Sequence, residues 1–178
     1  MSEDRPGPPK KTSGDLLAFA DWVSETTSRK TDAEPVDPER LYLAFELGGE
    51  AYGLPVEQVL EVLRVEDVQR VPQAPSHIRG VTNVRGTILP VVEVRTRIGL
   101  APLVPTPAAR IVRVDIGGRT LGFLVDRVTG LQKVRASQVG SAAGAAGGAN
   151  ACLTGLAQGP FGRLALLDPD EVLRTAGR

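Results

Sequence analysis

The chain has 178 residues, of which 42% are apolar and 24% charged, enough for one domain with a hydrophobic core or for two very small ones. The 21 Lys and Arg residues balance the 21 Asp and Glu residues, so net charge gives no attraction to nucleic acid or anionic lipid. One cysteine, Cys152, and one histidine, His77, exclude an internal disulfide and a zinc site of the usual type.

Residues 1–40 are rich in Pro, Ser, Thr and charge, which predicts a flexible N-terminal tail. Apolar residues at helical spacing from Leu16 to Val23 predict a short amphipathic helix over residues 14–28. This helix is expected either to fold back on the domain or to dock on a partner. The tail lacks the pattern of a signal peptide and no apolar run is long enough to span a bilayer, so we expect a cytoplasmic protein without direct membrane insertion.

From Leu41 onward, apolar and polar residues alternate with period two, which predicts a mainly β body over residues 41–176. The first strand ends at the pair Gly48-Gly49. The same arrangement returns before the pair Gly117-Gly118. Because paired glycines favour tight hairpin turns, we predict a hairpin at each place.

Two blocks of sequence are repeated at an offset of roughly 70 residues. Residues 45–59 align without gaps on 114–128, and residues 78–83 resemble 153–158. Gly and Pro divide each copy into about five short strand candidates, which favours a small barrel. Because a barrel of this size is marginal alone, the two copies are expected to interleave or stack. The Pro-rich segment 101–109 is predicted to join them without regular structure.

Two segments of the second copy have sequence patterns that predict local structure. The Gly/Ala tract 140–149 predicts a flexible surface loop. Near the end of the chain, Asp168, Pro169 and Glu171 occupy the spacing of an N-cap, a first helical residue and a capping-box acid. We therefore predict a short helix that begins after Asp168.

The sequence offers no arrangement of residues that supports catalysis. His77, the only imidazole, lies beside Ser76, and adjacency in sequence gives no nucleophile–base geometry, so we expect His77 in a solvated turn. Cys152 lies in a predicted strand and is typical of a small buried hydrophobe. No lysine follows a Gly-rich stretch with phosphate-loop spacing. We predict a protein that is not an enzyme and that binds no cofactor and no metal.

The two copies differ at one turn. The first copy has Asn83-Val84-Arg85-Gly86 where the second has Gln158-Gly159-Pro160-Phe161. Because the second copy has no arginine there, the hairpin itself does not require one. Arg85 is therefore a candidate for recognising carboxylates or carbonyls of a partner, since a guanidinium is a rigid fork of donors. The alternative is a surface arginine paired with a nearby glutamate.

From about Leu41 to Leu173, the chain resembles the family of chemotaxis coupling proteins, CheW. Shorter matching elements include Leu121 to Val128. Two long spaced motifs carry most of the resemblance: Phe45-x-Leu47-Gly48-x-x-x-Tyr52-Gly53-Leu54-Pro55-Val56-x-x-Val59-x-Glu61-Val62 and Pro72-x-x-Pro75-x-x-Ile78-x-Gly80-Val81-x-Asn83-Val84-Arg85-Gly86-x-Ile88-x-Pro90-Val91.

The resemblance implies two SH3-like five-stranded β-barrels packed together, with short helices and no catalytic activity. It also implies a scaffold that joins methyl-accepting chemoreceptors to a histidine autokinase and is recruited to receptor arrays. In such proteins one barrel pairs with the regulatory domain of the kinase, and the cytoplasmic tip of the receptor lies against a groove between the barrels. Seven residues match positions associated with partner contacts: Val56, Val59, Glu61, Gly80, Asn83, Arg85 and Gly122.

The alternative to these implied contact roles is a purely structural role, in which the residues serve as core valines, a solvated carboxylate and turn glycines. The sequence departs from the family pattern at Val84, where leucine is usual, and in a tail longer than that of the simplest members. A specialised gliding or developmental pathway is therefore an alternative setting. An unrelated small ligand-binding β-barrel is an alternative fold assignment.

Overall fold

The structure is a computed structural model that describes residues 36–142, 151–160 and 162–174. Apart from Val36, the described residues all fall within the unit Asp37–Arg178. The helix predicted over residues 14–28 and most of the Gly/Ala tract lie outside the described residues.

Strands dominate the described part of the chain, which confirms the predicted mainly β fold. Two short helices, α1 (Val94–Arg97) and α2 (Pro169–Arg174), and two 3-10 turns, Val56–Gln58 and Ala136–Gln138, connect or follow them. The strands, in chain order, are β1 (Glu39–Leu47), β2 (Glu50–Pro55), β3 (Val59–Arg64), β4 (Ile78–Val84), β5 (Thr87–Glu93), β6 (Arg110–Ile116), β7 (Arg119–Val125), β8 (Arg127–Arg135), β9 (Val139–Gly140), β10 (Leu153–Gly159) and β11 (Gly162–Leu167).

The strands form two sheets in which the two copies of the repeat are interleaved. One sheet has five strands in the order β3-β6-β7-β5-β4, and the other has six in the order β8-β1-β2-β11-β10-β9. The hairpin β1–β2 of the first copy therefore lies among strands of the second copy, and the hairpin β6–β7 lies among strands of the first. The six-stranded sheet exceeds the predicted five strands because of the two-residue strand β9.

Both sheets close on themselves in the same way. In the five-stranded sheet, the segment after edge strand β3 crosses to edge strand β4, where Gln69 and Val81 exchange two backbone hydrogen bonds of 2.8 Å. In the six-stranded sheet, β9 pairs with β10, and Gly140 lies opposite Leu156. Val81 and Leu156 are equivalent in the repeat. Joining the two edges of a small sheet is the arrangement of a barrel, in which no edge is left open.

Three clusters of buried apolar side chains hold the domain together. The largest takes residues from both sheets, among them Phe45 from β1 and Phe123 from β7. Each sheet also has a cluster of its own. The segment 101–109, which contains no strand or helix, contributes Leu103 and Ala109 to the cluster of the five-stranded sheet. Burial of apolar surface is the dominant stabilising term in such a fold.

The C-terminal helix begins as its sequence predicts. Asp168 Oδ1 accepts hydrogen bonds from the backbone N of Asp170 at 2.9 Å and of Glu171 at 3.3 Å. These contacts satisfy donors of the first helical turn, as an N-cap side chain does. Cys152, which directly precedes β10, is fully buried in the shared core cluster, as predicted for a small hydrophobe.

The prediction that His77 lies in a solvated turn is wrong. Its side chain is only 8% exposed, and its backbone oxygen accepts a hydrogen bond from Glu93 N at 2.7 Å. Burial, together with the nearby charge of Arg97, lowers the pKa of the His77 imidazole. The local Pro-Ser-His pattern did not indicate this burial because the surroundings of His77 come from later segments of the chain.

The lowered pKa of His77 gives a pH prediction. Above about pH 6.5, the ordinary pKa of histidine, the imidazole is neutral in the folded and unfolded chain alike. As the pH falls below that value, the unfolded chain takes up the proton first, so the free energy of unfolding decreases. Because His77 is the only histidine, its imidazole NMR signals can be titrated without ambiguity, and we expect a midpoint below 6.5. A midpoint at or above that value would contradict the observed burial.

Candidate functional site

Arg85 stands on the two-residue turn between β4 and β5. Arg85 and Gly86 both have positive φ, 51° and 83°, as in the type I′ turns that suit tight hairpins. Gly86 N donates a 2.8 Å hydrogen bond to Asn83 Oδ1, so the Asn83 side chain fixes the turn. The Arg85 side chain is 75% exposed. Asn83 therefore has a structural role here, while Arg85 projects towards solvent.

Arg85 reaches across to edge strand β3, where it meets Glu61. Arg85 Nη2 lies 2.9 Å from Glu61 Oε2, and Arg113 Nη1 lies 2.6 Å from Glu61 Oε1. We call these three residues the Glu61 cluster. The hydrogen bond from Arg113 and the charge of Arg85 lower the pKa of Glu61, against the opposing effect of partial burial. Glu61 is therefore a carboxylate at neutral pH, held by two arginines.

Glu61 and Arg113 are set opposite each other by the sheet register. Their Cα atoms are direct partners in the antiparallel pairing of β3 with β6, where facing side chains are close neighbours. Arg85, by contrast, comes from the far edge of the same sheet. The alternative given for Arg85, a surface arginine paired with a glutamate, is thus present in the structure, and its recognition of a partner stays a prediction.

The other four predicted contact residues pack against neighbouring parts of the domain. Val56 and Val59 are half-buried against the core cluster shared by the two sheets. Gly80 is buried, and a Cβ added there would lie 2.2 Å from the backbone oxygen of Gln69. A Cβ added at Gly122, also buried, would lie 2.6 Å from a methyl carbon of Ile111. The structure brings Glu61, Arg85 and Asn83 together, whereas these four residues each have an evident packing role.

Arg113 was not selected from the sequence. The alternation of β6 places it between the buried residues Val112 and Val114 but on the opposite face, which it shares with Ile111. Its partner Glu61 lies 52 residues earlier, and the two meet only because the hairpin β6–β7 enters the sheet of the first copy. Alternation indicates which face of the strand such a residue occupies, but it does not indicate what the residue contacts.

A cavity of about 420 Å³ lies beside the loop before β4, with Arg70, Arg79 and Glu93 in its lining. Glu93 is 2% exposed, and burial raises the pKa of its carboxyl. Its Oε1 accepts a 3.2 Å hydrogen bond from Leu103 N, and its Oε2 lies 3.5 Å from Arg79 Nη1. The buried carboxyl therefore anchors the joining segment 101–109 to the five-stranded sheet.

The described ranges bear on two further kinds of site. No group of three or more His, Cys, Asp or Glu side chains there is placed to hold a metal ion. Among the helices of residues 36–142, 151–160 and 162–174, none has the length and apolar character needed to cross a membrane.

The two closed sheets with their interleaved hairpins define a two-barrel β domain. The Glu61 cluster, which includes the exposed turn residue Arg85, gives this domain a charged surface site. Residues 41–177 match the family model described as CheW-like domain. The chain belongs to the CheW-like domain family, which confirms the resemblance predicted from its motifs.

Relatives from several bacteria share this similarity. The chain is 31% identical over 113 residues to chemotaxis protein CheW of Klebsiella aerogenes, covering 64% of this chain and 67% of that protein. It is 28% identical over 98 residues to chemotaxis protein CheW of Helicobacter pylori, covering 55% and 59%. It is 32% identical over 102 residues to protein FrzA of Myxococcus xanthus, covering 57% and 64%. The matched segments thus span about three-fifths to two-thirds of these relatives.

The fold is similar to that of the crystal structure of the scaffolding protein TtCheW from Thermoanaerobacter tengcongensis. The TM-score is 0.71, with 82% of this chain and 94% of that chain covered. Sequence identity over the superposition is 23%. The two proteins therefore share the architecture described above, although most of their residues differ.

Proposed function

We propose that this chain is an adaptor without catalytic activity that couples methyl-accepting chemoreceptors to a histidine autokinase. The observation that carries the proposal is the family match over residues 41–177, together with relatives named chemotaxis protein CheW. The adaptor would act in the cytoplasm and be recruited to chemoreceptor arrays. One barrel would bind the regulatory domain of the kinase, and the receptor tip would bind between the barrels.

Surface features of the five-stranded sheet support a role in binding other proteins. Edge strand β3 exposes Leu60 and Val62 by 52% and 42%, on either side of Glu61 in the sequence. Exposed apolar residues that lie close together favour contact with another protein. The exposed Arg85 guanidinium adds a charged donor group near this strand. Apolar contact area bordered by charge is typical of a protein interface.

Sedimentation of receptor-bearing membranes tests the proposal directly. Membranes with the chemoreceptors of the source organism, its purified histidine autokinase and the full chain are mixed and centrifuged. We expect the kinase to sediment with the membranes, and its autophosphorylation to rise, only when the chain is present. Membranes without receptors serve as the control. Equal sedimentation and equal autophosphorylation with and without the chain would refute the adaptor role.

A further inference from the structure

All three members of the Glu61 cluster are missing from the second copy of the repeat. The position equivalent to Glu61 is Gly130, and that equivalent to Arg113 is Ala44. Ala44 and Gly130 are themselves Cα partners in the six-stranded sheet, just as Arg113 and Glu61 are in the five-stranded sheet. The position equivalent to Arg85 is Pro160. The second sheet therefore forms with none of these charges, so the repeated strand arrangement as such does not require them.

The two arginines of the cluster are held differently. Arg113 has a side chain only 25% exposed, and the register of β3 and β6 places it against Glu61. Arg85 is 75% exposed, and its second contact to Glu61, from Nη1 to Oε1, is 3.4 Å long. An exposed ion pair of this kind contributes little net free energy, so Arg85 can leave Glu61 at small cost.

We infer that Glu61, Arg85 and Arg113 form one recognition unit for an acidic side chain of a partner protein, with Arg113 as a positioning residue. The inference rests on the proposed function for the identity of that partner. Two arginines and one glutamate give the cluster a net charge of +1, which favours a carboxylate. A planar guanidinium binds a carboxylate in bidentate geometry.

Arg113 matters in this unit because it keeps Glu61 paired. When a partner carboxylate binds Arg85, Glu61 retains its 2.6 Å contact to Arg113. Without Arg113, Arg85 would be the one remaining arginine bound to Glu61 among the residues that the structure describes. The partner carboxylate would then have to compete with Glu61 for Arg85, and the cluster would lose its net positive charge. Arg113 therefore acts through Arg85 and not by touching the partner.

A double-mutant cycle tests this coupling. Affinities of the full-length wild type, Arg85→Gln, Arg113→Gln and the double variant are measured separately for the purified histidine autokinase and for a chemoreceptor cytoplasmic fragment of the source organism. For one of these partners, we expect Arg85→Gln to weaken binding about tenfold and Arg113→Gln about fivefold. The double variant should be within about twofold of Arg85→Gln, because residues that act as a unit are not additive.

Two readouts separate positioning from a structural role. Affinity should fall less steeply with salt in Arg113→Gln than in the wild type, since an ion pair is screened by salt. Arg113→Lys, which keeps a cation beside Glu61, should restore most of the affinity. Arg163→Gln is the matched control: Arg163 is an exposed arginine on β11, in the hairpin equivalent to that of Arg85. It should leave affinity unchanged.

Unchanged affinity in Arg113→Gln for both partners, or losses that simply add in the double variant, would overturn the inference. A wild-type chain that binds neither partner would instead refute the proposed function, and the inference would fall with it. Urea unfolding of each variant is measured alongside. The positioning role would also be overturned by the following result: the urea midpoint falls in Arg113→Gln and returns to the wild-type value in Arg113→Lys, but Arg113→Lys does not recover binding.

Discussion

Gly80→Ala is expected to lower the free energy of unfolding by about 3 kcal/mol, although it adds a single methyl group. That methyl would lie 2.2 Å from the backbone oxygen of Gln69, at a residue whose φ of 154° already disfavours side chains. Relief of the clash requires Gln69 to move away from Val81, which breaks the pair of hydrogen bonds that closes the five-stranded sheet. Equilibrium unfolding in urea measures the loss.

Gly140→Ala is the matched control for this experiment. Gly140 lies in β9, the strand that closes the six-stranded sheet, and the nearest atom to an added Cβ is Leu156 O at an ordinary 3.7 Å. We expect a change within about 0.5 kcal/mol, as for other permissive surface sites. If Gly80→Ala were equally harmless, closure of the sheet could not depend on the close approach of Gln69. A loss of partner binding in Gly80 variants would then indicate a direct contact.

Val59→Asp is expected to lower the free energy of unfolding by about 2 to 3 kcal/mol, because it places a carboxylate against apolar side chains. Val59 opens β3, is half-buried on the shared core cluster, and lies opposite the fully buried Val114. Far-UV circular dichroism during urea unfolding should show an earlier transition. Any weakening of partner binding by this substitution would therefore follow first from the damaged fold.

The same chemical change three residues later provides the control. Val62 lies on the same strand but is 42% exposed, so Val62→Asp should lower the free energy of unfolding by clearly less than Val59→Asp does. If Val62→Asp nevertheless abolished binding to the kinase, the exposed face of β3 would be the contact surface. An unfolding free energy of Val59→Asp within about 0.5 kcal/mol of the wild type would show that the Val59 side chain contributes little to the core.

Local sequence patterns were sufficient to predict the hairpins. Alternation that ends at a glycine pair predicted β1–β2 and β6–β7, and both pairs, Gly48-Gly49 and Gly117-Gly118, adopt positive φ in the turns. The repeat predicted two equivalent sets of strands. It did not predict that the hairpins exchange places, because alternation fixes which face of a strand is buried but not which strand lies beside it.

The site shows the same division between local and long-range information. Arg85 was found from the difference between the copies at one turn, a comparison that needs only the chain itself. Arg113 was missed because its contact with Glu61 depends on the pairing of strands from different copies. His77 was misassigned for a related reason, since its burial depends on later segments that pack around a loop rich in turn residues.

The interleaving of the copies also sets the order of events during protein synthesis. Strand β1 pairs with β8, and β2 pairs with β11. The N-terminal hairpin therefore leaves the ribosome long before its partner strands, in residues 127–167, have been synthesised. At about 5–20 residues per second, this interval lasts on the order of ten seconds, and an isolated hairpin is marginally stable in water. A nascent first half cannot complete either sheet. The five-stranded sheet can be completed once β7 has emerged, whereas the six-stranded sheet must wait for β11. Until then the apolar faces of β1 and β2 stay available to chaperones.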